Sequence, residues 1–172
     1  MLGDLSPDGT PRLHHPGPPL EEDRSDEEQT AHHASHLLPE DLLFLRAKQA
    51  FTYPEDETLQ ALVSTFVHRF FPLYPVVNLE EFLAQYESKT IPWILLHAIC
   101  FAAATFCPMA TLHRAGFTGR KQARSEYYRR AKALFDIGYE SNKLVVLQCT
   151  ILLSFWGGGP NNYCAYPNIR NP

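Results

Sequence analysis

Residues 90–113 read TIPWILLHAICFAAATFCPMATLH, and the fold turns on whether this stretch crosses a membrane or fills a core. It holds no Asp, Glu, Lys or Arg, and Ile91 to Met109 is nearly all apolar. A membrane helix needs about 20 apolar residues to cross a hydrocarbon layer about 30 Å thick. Pro92 and Pro108 bracket 15 residues, roughly 23 Å of helix at 1.5 Å per residue. His97 sits mid-segment, and Ala102-Ala103-Ala104-Thr105 is only mildly hydrophobic. The other long apolar run, Leu144 to Trp156, is 13 residues long and includes Gln148. Two under-length runs favour buried central helices. The alternative is a small helical membrane protein spanning 91–112, with the basic 114–132 stretch on the cytoplasmic side.

The surroundings of this stretch look helical. Pro39-Glu40-Asp41 puts a proline and two acids at a first turn, where a missing N–H is harmless and negative charge meets the helix dipole. That helix is expected to run through Leu42, Leu43, Leu45 and Lys48. A second begins after Pro54 and carries Leu59, Leu62, Val63, Phe66, Val67 and Phe70, six apolar residues at i, i+3, i+4, i+7, i+8 and i+11. Its other faces hold Gln60, Ser64, Thr65, His68 and Arg69, so it is amphipathic. Pro72 and Pro75 then stop it, and Phe71-Pro72-Leu73-Tyr74-Pro75-Val76-Val77 is expected to be extended, because a residue before proline is pushed away from the α region.

Asn78 is a good N-cap, with Glu81 at the capping-box position, for a short helix burying Leu79, Phe82, Leu83 and Tyr86. Thr118 is expected to cap a helix through Asp136 whose buried stripe is Ala123, Tyr127, Ala131, Leu134 and Phe135, with Gly138 closing it. Ser141 or Asn142 caps a last helix carrying Leu144, Leu147, Ile151, Leu152 and Phe155, ended by Gly157-Gly158-Gly159-Pro160. There is no strand-like alternation and no repeat. The class is all-α: an antiparallel array of about six helices, its core drawn from Leu59, Leu62, Phe66, Phe70, Trp93, Leu96, Leu147, Ile151 and Phe155.

The whole chain has 172 residues, 45% hydrophobic and 20% charged, with a net charge of −4. That suits one domain and is no nucleic-acid-binding balance. Residues 1–60 carry 13 acidic and 4 basic side chains, whereas 61–172 carry 6 acidic and 11 basic. Residues 1–36 form an acidic arm with five prolines, five histidines and no aromatic residue. Such a composition cannot offset its ordering entropy, so the arm reads as a disordered, solvating segment. His32, His33 and His36 lack a scaffold that fixes metal ligands. The start, Met1 to Leu20, lacks the apolar run of a secretory signal, and four cysteines mostly inside apolar runs suit a reducing, intracellular setting. The array proper should occupy 37–162, with an irregular tail at 163–172.

Motifs for chemistry are missing: there is no G-x-S-x-G, H-E-x-x-H, Walker loop or G-x-G-x-x-G. The triple glycine follows a helix and so lacks the helix N-terminus that phosphate binding needs. His97, Cys100 and Cys107 look like half a zinc site, yet buried apolar cysteine commonly packs as a small hydrophobe. His68 lies on a polar face. No catalytic residue, metal ligand or DNA-binding residue is assigned, and the chain is read as a non-enzyme. Arg114 to Lys132 holds seven basic residues against Glu126 alone. Lys121, Arg129 and Lys132 project opposite the buried stripe; too few for a DNA-reading helix, they make a solvated or partner-contact face.

The order of motifs resembles the fungal-specific transcription-factor regulatory domain, the middle homology region of zinc binuclear cluster regulators, and is most similar to its cutinase transcription factor type. The resemblance runs over about 37–162. It is carried by Leu59 to Phe70, the elbow Phe71-Pro72-Leu73-Tyr74-Pro75, Leu79 to Leu83, Leu95 to Ala103, Leu112 to Phe117, Arg124 to Asp136, and Tyr139-Glu140-Ser141 into Gln148 and Trp156. It implies a nuclear, non-catalytic module of RNA polymerase II transcription control. Its implied partners are proteins of the transcription machinery or missing parts of its own domain, with no membrane and no specific DNA binding by this chain alone. The family's zinc is implied only where an N-terminal six-cysteine cluster exists; Cys100, Cys107, Cys149 and Cys164 do not form one. Because Tyr163 to Pro172 departs from the family pattern, the chain reads as shortened at both ends. Helices 92–107 and 144–156 should then lose their later covering helices and expose apolar surface.

Overall fold

A computed structural model describes residues 37–155, all within one unit of the chain. The acidic arm with His32, His33 and His36, the Gly157–Pro160 stop, Trp156, Cys164 and the 163–172 tail lie outside the described residues. Seven α-helices follow one another: α1 Pro39–Ala47, α2 Asp56–Thr65, α3 Leu79–Glu87, α4 Trp93–Ala103, α5 Met109–Arg114, α6 Arg120–Ile137 and α7 Lys143–Ser154. No strand occurs among the described residues. The all-α expectation holds, with α5 as an additional short helix.

α4 is the centre. Every one of its eleven residues is buried, and it packs most extensively against α6 and α7, then α2. The apolar stretch thus lies in the core because neighbours surround it, not because it is long enough to span: no helix of the described residues is long and apolar enough to cross a membrane. Of the apolar surface expected to be exposed at 92–107, only Phe106 among the large side chains is in solvent, whereas Trp93, Leu96, Phe101 and Cys107 are buried.

The stripe of α2 is as expected: Leu59, Leu62, Val63, Phe66 and Phe70 are buried while Gln60, Ser64, His68 and Arg69 face out. The helix does not stay α-helical to its end. Residues 66–70 widen into a π turn, with Phe71 N–H donating to Phe66 O at 2.8 Å. Pro72 explains why. Proline lacks the N–H that an α turn would direct at residue 68, and its ring would clash with that carbonyl. A wider turn moves the carbonyl away.

One expectation about the elbow is corrected here. Phe71 keeps a helical backbone at φ −56, ψ −40, and Leu73 and Tyr74 N–H both donate to Phe70 O. The elbow is therefore a turn at 71–73 followed by irregular backbone from Tyr74.

Caps mark the later helices. Glu81 N–H donates to Asn78 Oδ1 at 3.2 Å, and the Glu81 carboxylate turns to Gln85 Nε2. Asn142 Oδ1 accepts from Leu144 and Val145 N–H, so Asn142, not Ser141, caps α7. At α6 the cap is Gly119 rather than Thr118, whose N–H and hydroxyl both donate to Gln122 Oε1. Gly138 ends α6 at φ +70, the left-handed conformation that glycine adopts without Cβ strain.

Two core assignments are corrected on α6 and α7. Ala123, Tyr127, Ala131 and Leu134 are buried as expected, but Phe135 is exposed. On α7 the buried residues are Cys149 and Leu152, with Val145 and Leu153 packed beside them. Leu144, Leu147 and Ile151 are 61%, 56% and 41% exposed, and Phe155 is half-buried. The helix is rotated relative to its expected face.

Candidate functional site: a polar node, a ring ledge and two outer faces

A polar node lies inside the apolar centre. His97 on α4 is fully buried, and its Nε2–H donates to the carbonyl of Ala50 at 2.8 Å, tying the loop after α1 to the central helix. That donation fixes the tautomer, leaving Nδ1 unprotonated and buried with no hydrogen-bond partner. Burial holds His97 down at about 4, from an ordinary 6.5. Trp93 and Tyr127 flank the imidazole with ring centroids 6.5 and 6.4 Å away. Around the loop, Phe51 meets Trp93 and Tyr139, and Tyr53 donates its hydroxyl to Lys89 O. Sequence reasoning missed this role. The available signal was a single imidazole in an otherwise uncharged helix, which requires one polar partner.

The three described thiols pack in the apolar core. Cys100, Cys107 and Cys149 are free and buried, and burial pushes Cys100 up to about 12 and raises Cys149 as well. Metal-binding cysteines are thiolates. Among the described residues no group of three His, Cys, Asp or Glu side chains converges. These residues therefore do not fit a zinc cluster.

The elbow is a structural ledge. Phe66, Phe70 and Phe82 form a ring cluster with centroids 5.5 and 5.8 Å apart. Phe70 continues it to Tyr74 and Phe155, both at 5.3 Å, and Tyr74 meets Phe155 at 4.4 Å. Of the elbow residues, Tyr74 packs on Phe155 just past α7 and Phe71 on Phe66, while Pro72, Leu73 and Pro75 are exposed. Leu73 and Tyr74 keep much of their surface in solvent.

The basic stretch is largely tied into the fold. Arg124 donates to Phe155 O at 2.6 Å and lies 4.8 Å from the Phe101 ring, which anchors the end of α7. Arg120 donates to Cys107 O, Arg114 pairs with Glu57, and Arg130 pairs with Glu126 and donates to Gln49 Oε1. Of the expected outer face, Arg129 pairs with Glu126 and Lys132 with Asp136, while Lys121 is exposed. The three residues are placed on one helix; two of them are in local i,i+3 and i,i+4 pairs.

What these elements define is a helical packing module: a buried central helix, internal polar anchors, and apolar and basic surfaces turned outward. Residues 63–166 match the family described as the Fungal specific transcription factor domain, and the chain belongs to that family. It is 34% identical to a transcription factor of Fusarium pseudograminearum over 128 residues, 72% of this chain and 14% of the relative. It is 30% identical to cutinase transcription factor 1 beta of Fusarium vanettenii, over 73% of this chain and 15% of that protein. Transcription factor cpaR of Aspergillus oryzae is 31% identical over 70% of this chain and 21% of its own length. The chain therefore spans between about a seventh and a fifth of these relatives. No solved structure matches it.

Proposed function

We propose that this chain is the regulatory, non-catalytic part of a fungal transcription regulator, acting in the nucleus through protein contacts and without specific DNA binding of its own. The observation that supports it most is the family match over 63–166, whose described part coincides with helices packed around α4. The way the basic residues are used agrees with this. Arg120, Arg124 and Arg130 are each engaged with a carbonyl, a carboxylate or an amide oxygen of the same chain, whereas DNA recognition needs a larger cluster of basic side chains free to reach phosphate and base edges.

On this reading the chain takes no cofactor, and zinc belongs to the cysteine cluster of longer regulators. Its contacts are with proteins of the transcription machinery or with further parts of such a regulator. The Lys121, Arg129 and Lys132 face is the place for an acidic partner segment, because local ion pairs at an exposed helix surface are worth about 0.5 kcal/mol or less and exchange easily. A gel-shift with the purified chain tests the DNA claim. We expect at most weak binding that disappears as salt rises, as phosphate contacts do. Nanomolar, salt-resistant, sequence-selective binding overturns it.

A further inference from the structure

Two buried side-chain atoms of α4 have no hydrogen-bond partner in the chain: Nε1 of Trp93 and Nδ1 of His97. Their roles are fixed. An indole nitrogen only donates, and His97 Nδ1 only accepts, because the imidazole proton sits on Nε2 and goes to the Ala50 carbonyl. Trp93 is 3% and His97 0% exposed, so bulk solvent satisfies neither atom. One orphaned donor and one orphaned acceptor, a turn apart, are a complementary pair in a core where buried polar atoms are ordinarily bonded.

The two residues stand four apart on one helix and so share a face. Their rings are nearly parallel, 26° apart, with centroids separated by 6.5 Å. The indole hydrogen does not bond Nδ1 directly, although donor and acceptor match. A single bridging oxygen extends the reach to about 5 Å, the span of two bent hydrogen bonds of about 2.8 Å each.

We propose that Trp93 Nε1 and His97 Nδ1 together bind one internal water, whose oxygen accepts from the indole and which donates a hydrogen to the imidazole. The pair selects this chemistry. A cation would meet the indole hydrogen and an anion the imidazole lone pair, so the complement is a neutral hydroxyl that accepts and donates through one atom. The neighbours favour the smallest member of that class. Phe51 and Tyr53 pack on Trp93 with centroids at 5.9 and 4.7 Å, and Tyr127 on His97 at 6.4 Å; rings gathered this closely suit a guest of one heavy atom. The Tyr53 hydroxyl is directed to Lys89 O instead. Bound there, the water completes a chain of hydrogen bonds from the indole through the imidazole to the Ala50 carbonyl, and so ties the loop after α1 to two turns of α4 instead of one.

Nuclear magnetic resonance on the full chain tests the proposal. The chain has two tryptophans, so in a Trp156→Phe chain the remaining indole signal is that of Trp93, and His97→Gln identifies the imidazole signals. The expected result has two parts. The Trp93 indole proton shows a cross-peak to a water that tumbles with the protein, and the nitrogen resonance of His97 Nδ1 is that of an unprotonated nitrogen accepting a hydrogen bond. Incorporating benzothienylalanine in the Trp156→Phe chain replaces the N–H at position 93 by sulfur while keeping the shape of the side chain. The water then loses one of its two anchors, and its residence time should fall at least tenfold, with Nδ1 moving towards the position of a free imine nitrogen.

An indole proton without a water cross-peak overturns the proposal, as does an Nδ1 that resonates as free or as protonated in the unmodified chain. A cross-peak at the indole with a free Nδ1 overturns the bridge, since the two atoms are then served separately. An Nδ1 resonance and a water residence time indifferent to the sulfur substitution overturn it equally. The measurements on the Trp156→Phe chain decide by themselves if the sulfur variant does not fold.

Discussion

Replacing His97 by glutamine should separate its packing role from its titration. The Ala50 carbonyl needs a donor from residue 97, and a glutamine amide can supply one without taking up a proton in the accessible range. In the folded chain burial holds His97 at about 4, against 6.5 when the imidazole is in water. Between those values the unfolded chain binds the proton and the folded chain does not, so stability rises with pH across that window and falls as the solution is acidified. A separation of between two and three pH units, at about 1.4 kcal/mol each, gives a full loss of about 3 kcal/mol below pH 4. At pH 5 the loss from this one group is about 2 kcal/mol.

Urea unfolding of both proteins at pH 7 and pH 5, followed by circular dichroism, isolates the term. Carboxylates titrate alike in the two chains and cancel in the difference. The wild type is expected to lose about 2 kcal/mol more than His97→Gln on going from pH 7 to pH 5. An equal loss in both proteins would refute the buried, neutral His97 and with it the anchoring of the α1 loop.

Other perturbations probe separate parts of the fold. Phe66→Ala removes a fully buried ring at the head of the π turn and should cost about 3 to 5 kcal/mol in urea unfolding; a loss below about 1 kcal/mol would show that the ring cluster does not close α2 on α3. Gly138→Ala forces a Cβ into φ +70 and should cost about 1 kcal/mol, whereas Gly119→Ala, at extended φ 176, should cost less; equal losses would contradict the left-handed cap. Asn142→Ala removes the oxygen that caps α7 and should cost about 1 kcal/mol by thermal or urea unfolding, and no change would contradict that cap. Cys100 and Cys149 should react with Ellman's reagent only at the rate of unfolding, since both thiols are buried and held protonated; fast labelling of both in the native chain would contradict their burial.

Where polarity alternated with a clear period, burial was legible from the residues. Leu59 to Phe70 had polar residues on every other face, and the stripe is buried as read. α7 offered no such contrast. Val145, Cys149 and Leu152 are as apolar as Leu144, Leu147 and Ile151, so periodicity could not choose the buried face, and the neighbours α4 and Arg124 decided it. Phe135 failed because it lies on the flank of the α6 stripe, so that it turns outward beside the fully buried Leu134. Short α5 carried no cap signal of its own within a continuous apolar run.

The polar interior was hardest to read. His97 meets its partner 47 residues away in sequence, and Arg124 and Arg130, which the sequence shows only as members of the basic 114–132 stretch, pack on Phe101 and Tyr127. Long basic side chains bury their stems and engage rings with their heads, which a charge pattern alone does not reveal. The family, by contrast, was visible in the order of the elements: amphipathic helix, proline elbow, capped short helix and apolar helix in succession.

Native-state hydrogen exchange of the chain in plain buffer tests most directly the placement of residues 93–103 as the buried centre. Their amides are expected to be the slowest in the protein, exchanging only with global unfolding and unaffected by added lipid vesicles. Rapid exchange of this segment without lipid, or protection that appears only when vesicles are added, would contradict a helix held by α2, α6 and α7.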